Sequence, residues 1–321
     1  MKTFWSGRPE LERELEEVRG TILRRAASED PDVQAAVQHL FAAPGKMLRP
    51  AFVLIASRFG TPDRERILRA AAAVEMLHMA TLVHDDIIDG AATRRGVATL
   101  QALKGARTAV LTGDWLLAAC VSLVAERGSI EDARALSRLV ARICGSEIAQ
   151  STDRYVMHTS LRRYLRRIAG KTAALFALSF HVGAQESGCS AELCSILRRL
   201  GYNLGMGFQI IDDILDFAAA GSQTGKPTQS DLAQGILTLP AIMGLRADDG
   251  RLRGLLDRRP RSRRALARAS RLIAERGGME GARDLAVQFT ERSRREIGRL
   301  PCNEARTMLL ETTESLLIRS Y

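Results

Sequence analysis

Residues 69–90 read RAAAAVEMLHMATLVHDDIIDG. Strong helix formers fill the stretch, so it reads as one helix. On that helix Asp85 and Asp89 stand four residues apart and project from one face, about 5–6 Å from each other. Like carboxylates at that spacing repel, and the apolar flanks aggravate the repulsion. The same spelling returns at residues 207–217, GFQIIDDILDF, with Asp212, Asp213 and Asp216 in the places of Asp85, Asp86 and Asp89. Two such clusters call for positive charge, and hard divalent cations held by oxygen ligands, Mg²⁺ first, meet that need.

Working outward, helical periodicity is nearly continuous. Helices are expected over 8–27, 31–42, 47–59, 63–90, 99–127, 130–152, 160–185, 190–218, 229–247, 263–276, 279–297 and 301–319. Pro62-Asp63 and Ser190 with Glu192 mark starts; Gly60, Gly128 and Gly188 mark stops. No alternating strand pattern, low-complexity linker or composition break interrupts them. The expectation is an all-α chain, one domain over 1–321, a bundle of about 10–13 helices around a central cavity across which the acidic helices face each other.

Composition narrows the class. Of 321 residues, 46% are hydrophobic and only 5% aromatic, ample for a helical core. The five cysteines form no CxxC pair and read as reduced thiols of a cytoplasmic protein. Residues 1–20 lack the apolar core of a signal peptide, and no uncharged apolar run reaches about 18 residues, so no transmembrane helix is expected. The net charge of +10 fits a solvated arginine-rich surface, an anionic small-molecule substrate or a peripheral contact with a membrane surface. Nucleic acid is excluded as a partner, since the basic stretch Arg251–Arg271 has no interleaved aromatics and no binding motif.

Arginine supplies almost all the positive charge: of 47 Lys plus Arg, only Lys2, Lys46, Lys104, Lys171 and Lys226 are lysine. Three of these follow glycine, in Gly45-Lys46, Gly170-Lys171 and Gly225-Lys226. An ammonium is a compact charge with three donors, suited to phosphate oxygens. Lys46 and Arg49, three apart, are expected roughly on one face if Pro50 lies in the first turn of a helix; Arg94 and Arg95 follow the first acidic helix, and His78 lies two turns before Asp85 on its face. Direct salt bridges would neutralise such a set. Acids that hold metal, with metal and cations holding phosphates, would use every element.

Five segments together resemble the trans-isoprenyl diphosphate synthases: GKMLRP (45–50), LHMATLVHDDIIDGAATRRG (77–96), GKTAALF (170–176), GFQIIDDILDF (207–217) and GKPTQSDLAQGILTLP (225–240). Within that family the chain is most similar to long-chain polyprenyl synthases, above all the catalytic subunits of heptaprenyl diphosphate synthases. The resemblance implies the all-α isoprenoid synthase fold and a Mg²⁺-dependent prenyltransferase. Its substrates would be isopentenyl diphosphate and an allylic prenyl diphosphate, joined 1'-4 in trans with release of diphosphate. It implies that Asp85, Asp89 and Asp212 hold Mg²⁺, with Asp86, Asp213 and Asp216 acting on the metals through water or from behind those ligands. Arg94, Lys171 and Lys226 would grip the allylic diphosphate; Lys46, Arg49, His78 and Arg95 would bind that of isopentenyl diphosphate. Thr172 and Gln209 would place oxygen dipoles beside the nascent carbocation, with Phe208 packed nearby. Pro44 stands where the family has a glycine. The family implies a homodimer, or a heterodimer with a small accessory subunit.

Product length follows from geometry. Ala80 lies five residues before Asp85, about 7.5 Å down the helix. An aromatic there would block a tunnel leading away from the metals, and alanine leaves it open, so a C30–C40 product is expected. Two other readings compete: a non-catalytic or regulatory subunit of a heteromeric synthase, and a class I terpene cyclase. The intact acids and both cation sets argue against the first, and Lys46 with Arg49 against the second.

Overall fold

The computed structural model describes every residue except 1–3, 43–44, 95, 129, 158–159, 219–229, 258–261 and 318–321. The fold is all-α. The chain divides into two compact units, Met1–Ser137 with Leu178–Arg198, and Arg138–Ala177 with Arg199–Tyr321.

The first unit holds α1 (Pro9–Arg25), α2 (Pro31–Ala42), α3 (Leu48–Ser57), α4 (Arg64–Ile88) and α5 (Leu100–Arg127). Helix α4 is the expected acidic helix. Asp63 caps its start, the carboxylate accepting from Arg66 N–H at 2.9 Å. Residues 71–78 are buried without a break, because helices α1, α3 and α5 all pack against α4. A helix surrounded in this way has no polar face to give it amphipathic periodicity. Between α4 and α5 runs a two-stranded antiparallel hairpin, β1 (Thr93–Arg94) and β2 (Val97–Ala98). Strands of two residues are too short to show alternation, so the sequence carries no sign of them. Helix α5 bends at Gly105, whose φ of 83° only glycine adopts freely.

Helices α6 (Ile130–Thr152), α8 (Ala174–Glu186) and α9 (Ala191–Ala218) contribute residues to both units. The second unit also holds α7 (Leu161–Ile168), a π-helical turn at Ala169–Ala173, and α10 to α15: Ser230–Ala233, Leu239–Arg246, Arg251–Leu256, Arg263–Glu275, Gly278–Gly298 and Glu304–Leu317. The helix expected over 160–185 is therefore interrupted by the π-turn. That expected over 229–247 splits where Gly235 takes φ 84° against the ring of Tyr155, its carbonyl accepting from Tyr155 N–H at 2.8 Å. Helix α12 has no counterpart among the expected helices; Asp248 creates it by accepting from Leu252 and Arg253 N–H at 3.0 and 2.9 Å.

All five cysteines are free thiols. Two helices, Arg64–Ile88 and Leu100–Glu126, are long and apolar enough to cross a membrane by length and composition alone, although charged residues such as Glu75 and Asp114 interrupt both. The first is the core helix α4, whose apolar surface is mostly spent inside its unit.

Candidate active site

Both acidic motifs end a helix. Asp85 and Asp86 occupy the last turn of α4 and Asp89 is its C-cap, donating its N–H to Asp85 O at 2.8 Å. Asp212, Asp213 and Asp216 close α9, which has no basic residue in its last turn. The C-terminus of a helix carries partial negative charge, so carboxylates there are doubly disfavoured without a cation.

The three aspartates of the first motif separate by exposure. Asp85 and Asp89 are half-exposed, whereas Asp86 is 7% exposed. Arg94 Nε donates to Asp86 Oδ1 at 2.7 Å. Burial pushes the Asp86 carboxyl up, and the Arg94 guanidinium pulls it back. The hairpin sets this pair: Arg94 opposes Val97, and Thr99, which caps α5, closes the loop through its hydroxyl to Ala91 O at 2.6 Å. Two residues expected on metal and on diphosphate are thus bonded to one another.

The cation segment is held from the N-terminus. Trp5 Nε1 donates to Lys46 O at 2.7 Å, and Lys46 Nζ lies 5.1 Å from the centre of the Phe4 ring. Met47, next in line, sits at φ 46°, a left-handed conformation that costs a non-glycine residue about 1–3 kcal/mol. Arg49 opens α3, with Nη1 2.8 Å from Nε2 of His78, which is buried. A guanidinium has no lone pair to offer, so His78 Nε2 accepts and the ring proton resides on Nδ1. A cavity of about 350 Å³ in this unit reaches from Asp86 and Arg94 past Met79 and Val83 to Leu15 and Trp5. Ala80, 2% exposed, lies off its lining.

In the second unit the inner aspartate is again the buried one. Asp213 is 4% exposed and accepts from Tyr164 Oη at 2.7 Å and Gln209 Nε2 at 2.9 Å. Burial, then the charge of Asp231, pushes its carboxyl up to about 7. Asp212 and Asp216 are half-exposed. Gln209 Oε1 accepts from Thr172 Oγ1 at 2.6 Å, and Phe208 packs on Phe176 at 5.5 Å.

Lys171 and Thr172 ride on the π-turn, a distortion that is frequent at functional sites. Close approach explains the glycines here. A Cβ on Gly170 would strike Ser146 Oγ on α6, and one on Gly205 of α9 would stand 2.7 Å from Ala173 Cα. Lys171 Nζ pairs with Glu147 Oε1 at 2.7 Å. Arg95 and Lys226, with Pro44, lie outside the described residues.

Sequence reading missed Trp5, Phe4, Glu147 as partner of Lys171, and Tyr164. None carries a local signal, because each partner is remote in the chain: 41 residues separate Trp5 from Lys46 and 49 separate Tyr164 from Asp213. Among the described residues no three His, Cys, Asp or Glu side chains converge on one point. Mg²⁺ does not require such a cage. It keeps several waters and takes one or two carboxylates plus substrate phosphates. Two half-exposed carboxylates four residues apart, at the negative end of a helix, fit that habit.

Known proteins share this sequence pattern and fold. The family described as "Polyprenyl synthetase" matches residues 30–273. Heptaprenyl diphosphate synthase component 2 of Geobacillus stearothermophilus is 38% identical over 97% of this chain and 97% of its own. A geranylgeranyl pyrophosphate synthase from Lactobacillus brevis superposes with a TM-score of 0.93 at 32% identity, covering 99% of this chain and 100% of that one. A polyprenyl synthase from Caulobacter crescentus, solved with calcium and isoprenyl diphosphate, gives 0.89 at 32% identity, covering 96% and 95%.

Proposed function

The chain belongs to the polyprenyl synthetase family, and from that premise we propose that it is a Mg²⁺-dependent prenyltransferase that condenses isopentenyl diphosphate with an allylic diphosphate, 1'-4 and in trans, to a long all-trans polyprenyl diphosphate of about C30–C40. One observation carries the reading. In both acidic motifs the inner aspartate is buried and bonded within the protein, Asp86 to Arg94 and Asp213 to Tyr164 and Gln209, while the outer two stay half-exposed. In each motif, therefore, one carboxylate is desolvated and serves the fold, while the outer two keep contact with solvent.

Asp85, Asp89, Asp212 and Asp216 are the metal ligands of this reading, and Asp86 holds Arg94 in place. Bound Mg²⁺ would neutralise the diphosphate of the allylic substrate and make it a better leaving group. Arg94, Lys171 and Lys226 grip that diphosphate; Lys171 is fixed for this by Glu147. Lys46, Arg49, His78 and Arg95 bind isopentenyl diphosphate, with Arg49 and His78 already in contact. Thr172 and Gln209 turn oxygen atoms towards the carbocation, and Phe208 packs beside it. The double bond of isopentenyl diphosphate attacks the cation, and the C2 proton leaves to the departed diphosphate, so no dedicated base is needed.

The reading includes one domain over 1–321 and a cytoplasmic enzyme. A relative named as component 2 of its synthase supports a heteromeric partner, here taken as a small accessory subunit; a homodimer is the alternative. The test is incubation with Mg²⁺, farnesyl diphosphate and labelled isopentenyl diphosphate. Label is expected in an extended polyprenyl diphosphate, is lost on chelation, and is lost in Asp85→Ala and Asp212→Ala. A cyclic hydrocarbon product, or undiminished elongation by both variants, would overturn the proposal.

A further inference from the structure

We propose that Tyr164 is a positioning residue for the condensation, setting the polarity of the Thr172 hydroxyl through Asp213 and Gln209. The inference rests on the role given above to Thr172 and Gln209. Tyr164 is fully buried on α7, and its phenol donates to Asp213 Oδ2 at 2.7 Å. Its ring is pinned: the Arg167 guanidinium lies 5.5 Å from the ring centre and itself donates to Leu237 O at 2.8 Å.

The direction of every bond in the chain then follows. Burial raises the Asp213 carboxyl, but Gln209 and Tyr164 both donate to it and favour its carboxylate form. That form only accepts, so Gln209 turns its amide nitrogen to Asp213 Oδ1, at 2.9 Å. Its amide oxygen is thereby aimed at Thr172, 2.6 Å away. Thr172 must donate its proton inward to that oxygen, which leaves the hydroxyl lone pairs as its outward face. Electron-rich oxygen is the sign that stabilises a developing carbocation. Were Gln209 to flip, its NH₂ would donate to Thr172, consume a lone pair and swing the hydroxyl proton outward, which reverses the sign. The two faces of a glutamine amide have nearly the same shape, so packing alone does not choose between them. The choice falls to Asp213, and Tyr164 is the donor that holds Asp213 from the side opposite Gln209.

The experiment is a double-mutant cycle of Tyr164→Phe and Thr172→Val, with kcat and KM measured for labelled isopentenyl diphosphate in Mg²⁺ and farnesyl diphosphate. Tyr164→Phe should lower kcat about tenfold and leave KM for isopentenyl diphosphate unchanged, because no residue proposed to bind that substrate belongs to the chain of bonds. In the Thr172→Val background the same change should cost nothing more. Equal losses in both backgrounds, or a wild-type kcat for Tyr164→Phe, would overturn the inference. If Tyr164→Phe does not fold, Asp213→Asn asks the same question, since it too frees Gln209 to flip; a wild-type kcat there is equally fatal. A wild type that yields a cyclic hydrocarbon instead of an extended polyprenyl diphosphate overturns the functional reading and this inference together, whereas an elongating wild type with an additive cycle overturns this inference alone.

Discussion

Gly205→Ala sets two effects of known size against each other. Gly205 lies within α9, one turn before Gln209, and faces the π-turn. Alanine in a helix interior is favoured over glycine by about 0.8–1.0 kcal/mol, so propensity alone predicts a more stable protein. The structure predicts otherwise. The new Cβ would stand 2.7 Å from Ala173 Cα and 3.0 Å from Phe176 Cβ, where ordinary contact begins at 3.4 Å. The first of these atoms is backbone and cannot swing aside, and overpacking of that kind costs about 1–3 kcal/mol. The net effect is a loss of about 0–2 kcal/mol, small in a melting experiment.

The consequence for the site is larger. Relief of the contact requires α9 and the π-turn to part by roughly 0.7 Å, which stretches the 2.6 Å Thr172–Gln209 bond to about 3.3 Å, beyond the O–H···O range of about 2.5–3.0 Å. Misplacement of order 1 Å costs up to about 100-fold in rate, so kcat should fall by about tenfold while the melting temperature moves little. Isotope incorporation from isopentenyl diphosphate and thermal unfolding of the same preparation decide the matter. Full activity in Gly205→Ala would show that the glycine is not what brings Gln209 to Thr172.

Two further substitutions probe the first unit. Trp5→Phe keeps the ring against Phe4 but deletes the donor to Lys46 O; losing a bond worth about 1 kcal/mol beside the left-handed Met47 should raise KM for isopentenyl diphosphate about fivefold at unchanged kcat. Steady-state kinetics at saturating allylic substrate checks it, and a fall in kcat at constant KM would refute it. The tunnel reading expects Ala80→Phe, about 1.4 turns before Asp85 on α4, to shorten the product. Its buried place off the cavity lining instead expects an unaltered spectrum and overpacking of about 1–3 kcal/mol. Product mass after dephosphorylation decides, and an unaltered spectrum removes the tunnel assignment.

Much of the site was legible because it is local. The spacing of Asp85 from Asp89, the return to His78 two turns earlier and the start of α4 at Asp63 follow from the repeat of one helix. The shared helix face expected for Lys46 and Arg49 does not form: α3 begins at Leu48, and the left-handed Met47 breaks the repeat between them. The hairpin that aims Arg94 was not legible, since two-residue strands leave no pattern. Neither was the break at Gly235, where a φ of 84° is met by the ring of Tyr155 from another segment. Nor was the π-turn, pressed by α6 at Gly170 and by α9 at Gly205.

Helix content, the order of the elements and the inventory of acids and cations were written in the chain itself, since periodicity and spacing are properties of neighbours along it. Which aspartate of each motif turns inward was not. Asp85 and Asp86 are adjacent and chemically identical, and only folding surrounds one with Arg94 and leaves the other half-exposed. The same holds for Asp213, whose partner Tyr164 is 49 residues away. A carboxylate's role depends on how far it is desolvated and on what donates to it, and both are set by packing between segments that no spacing rule connects.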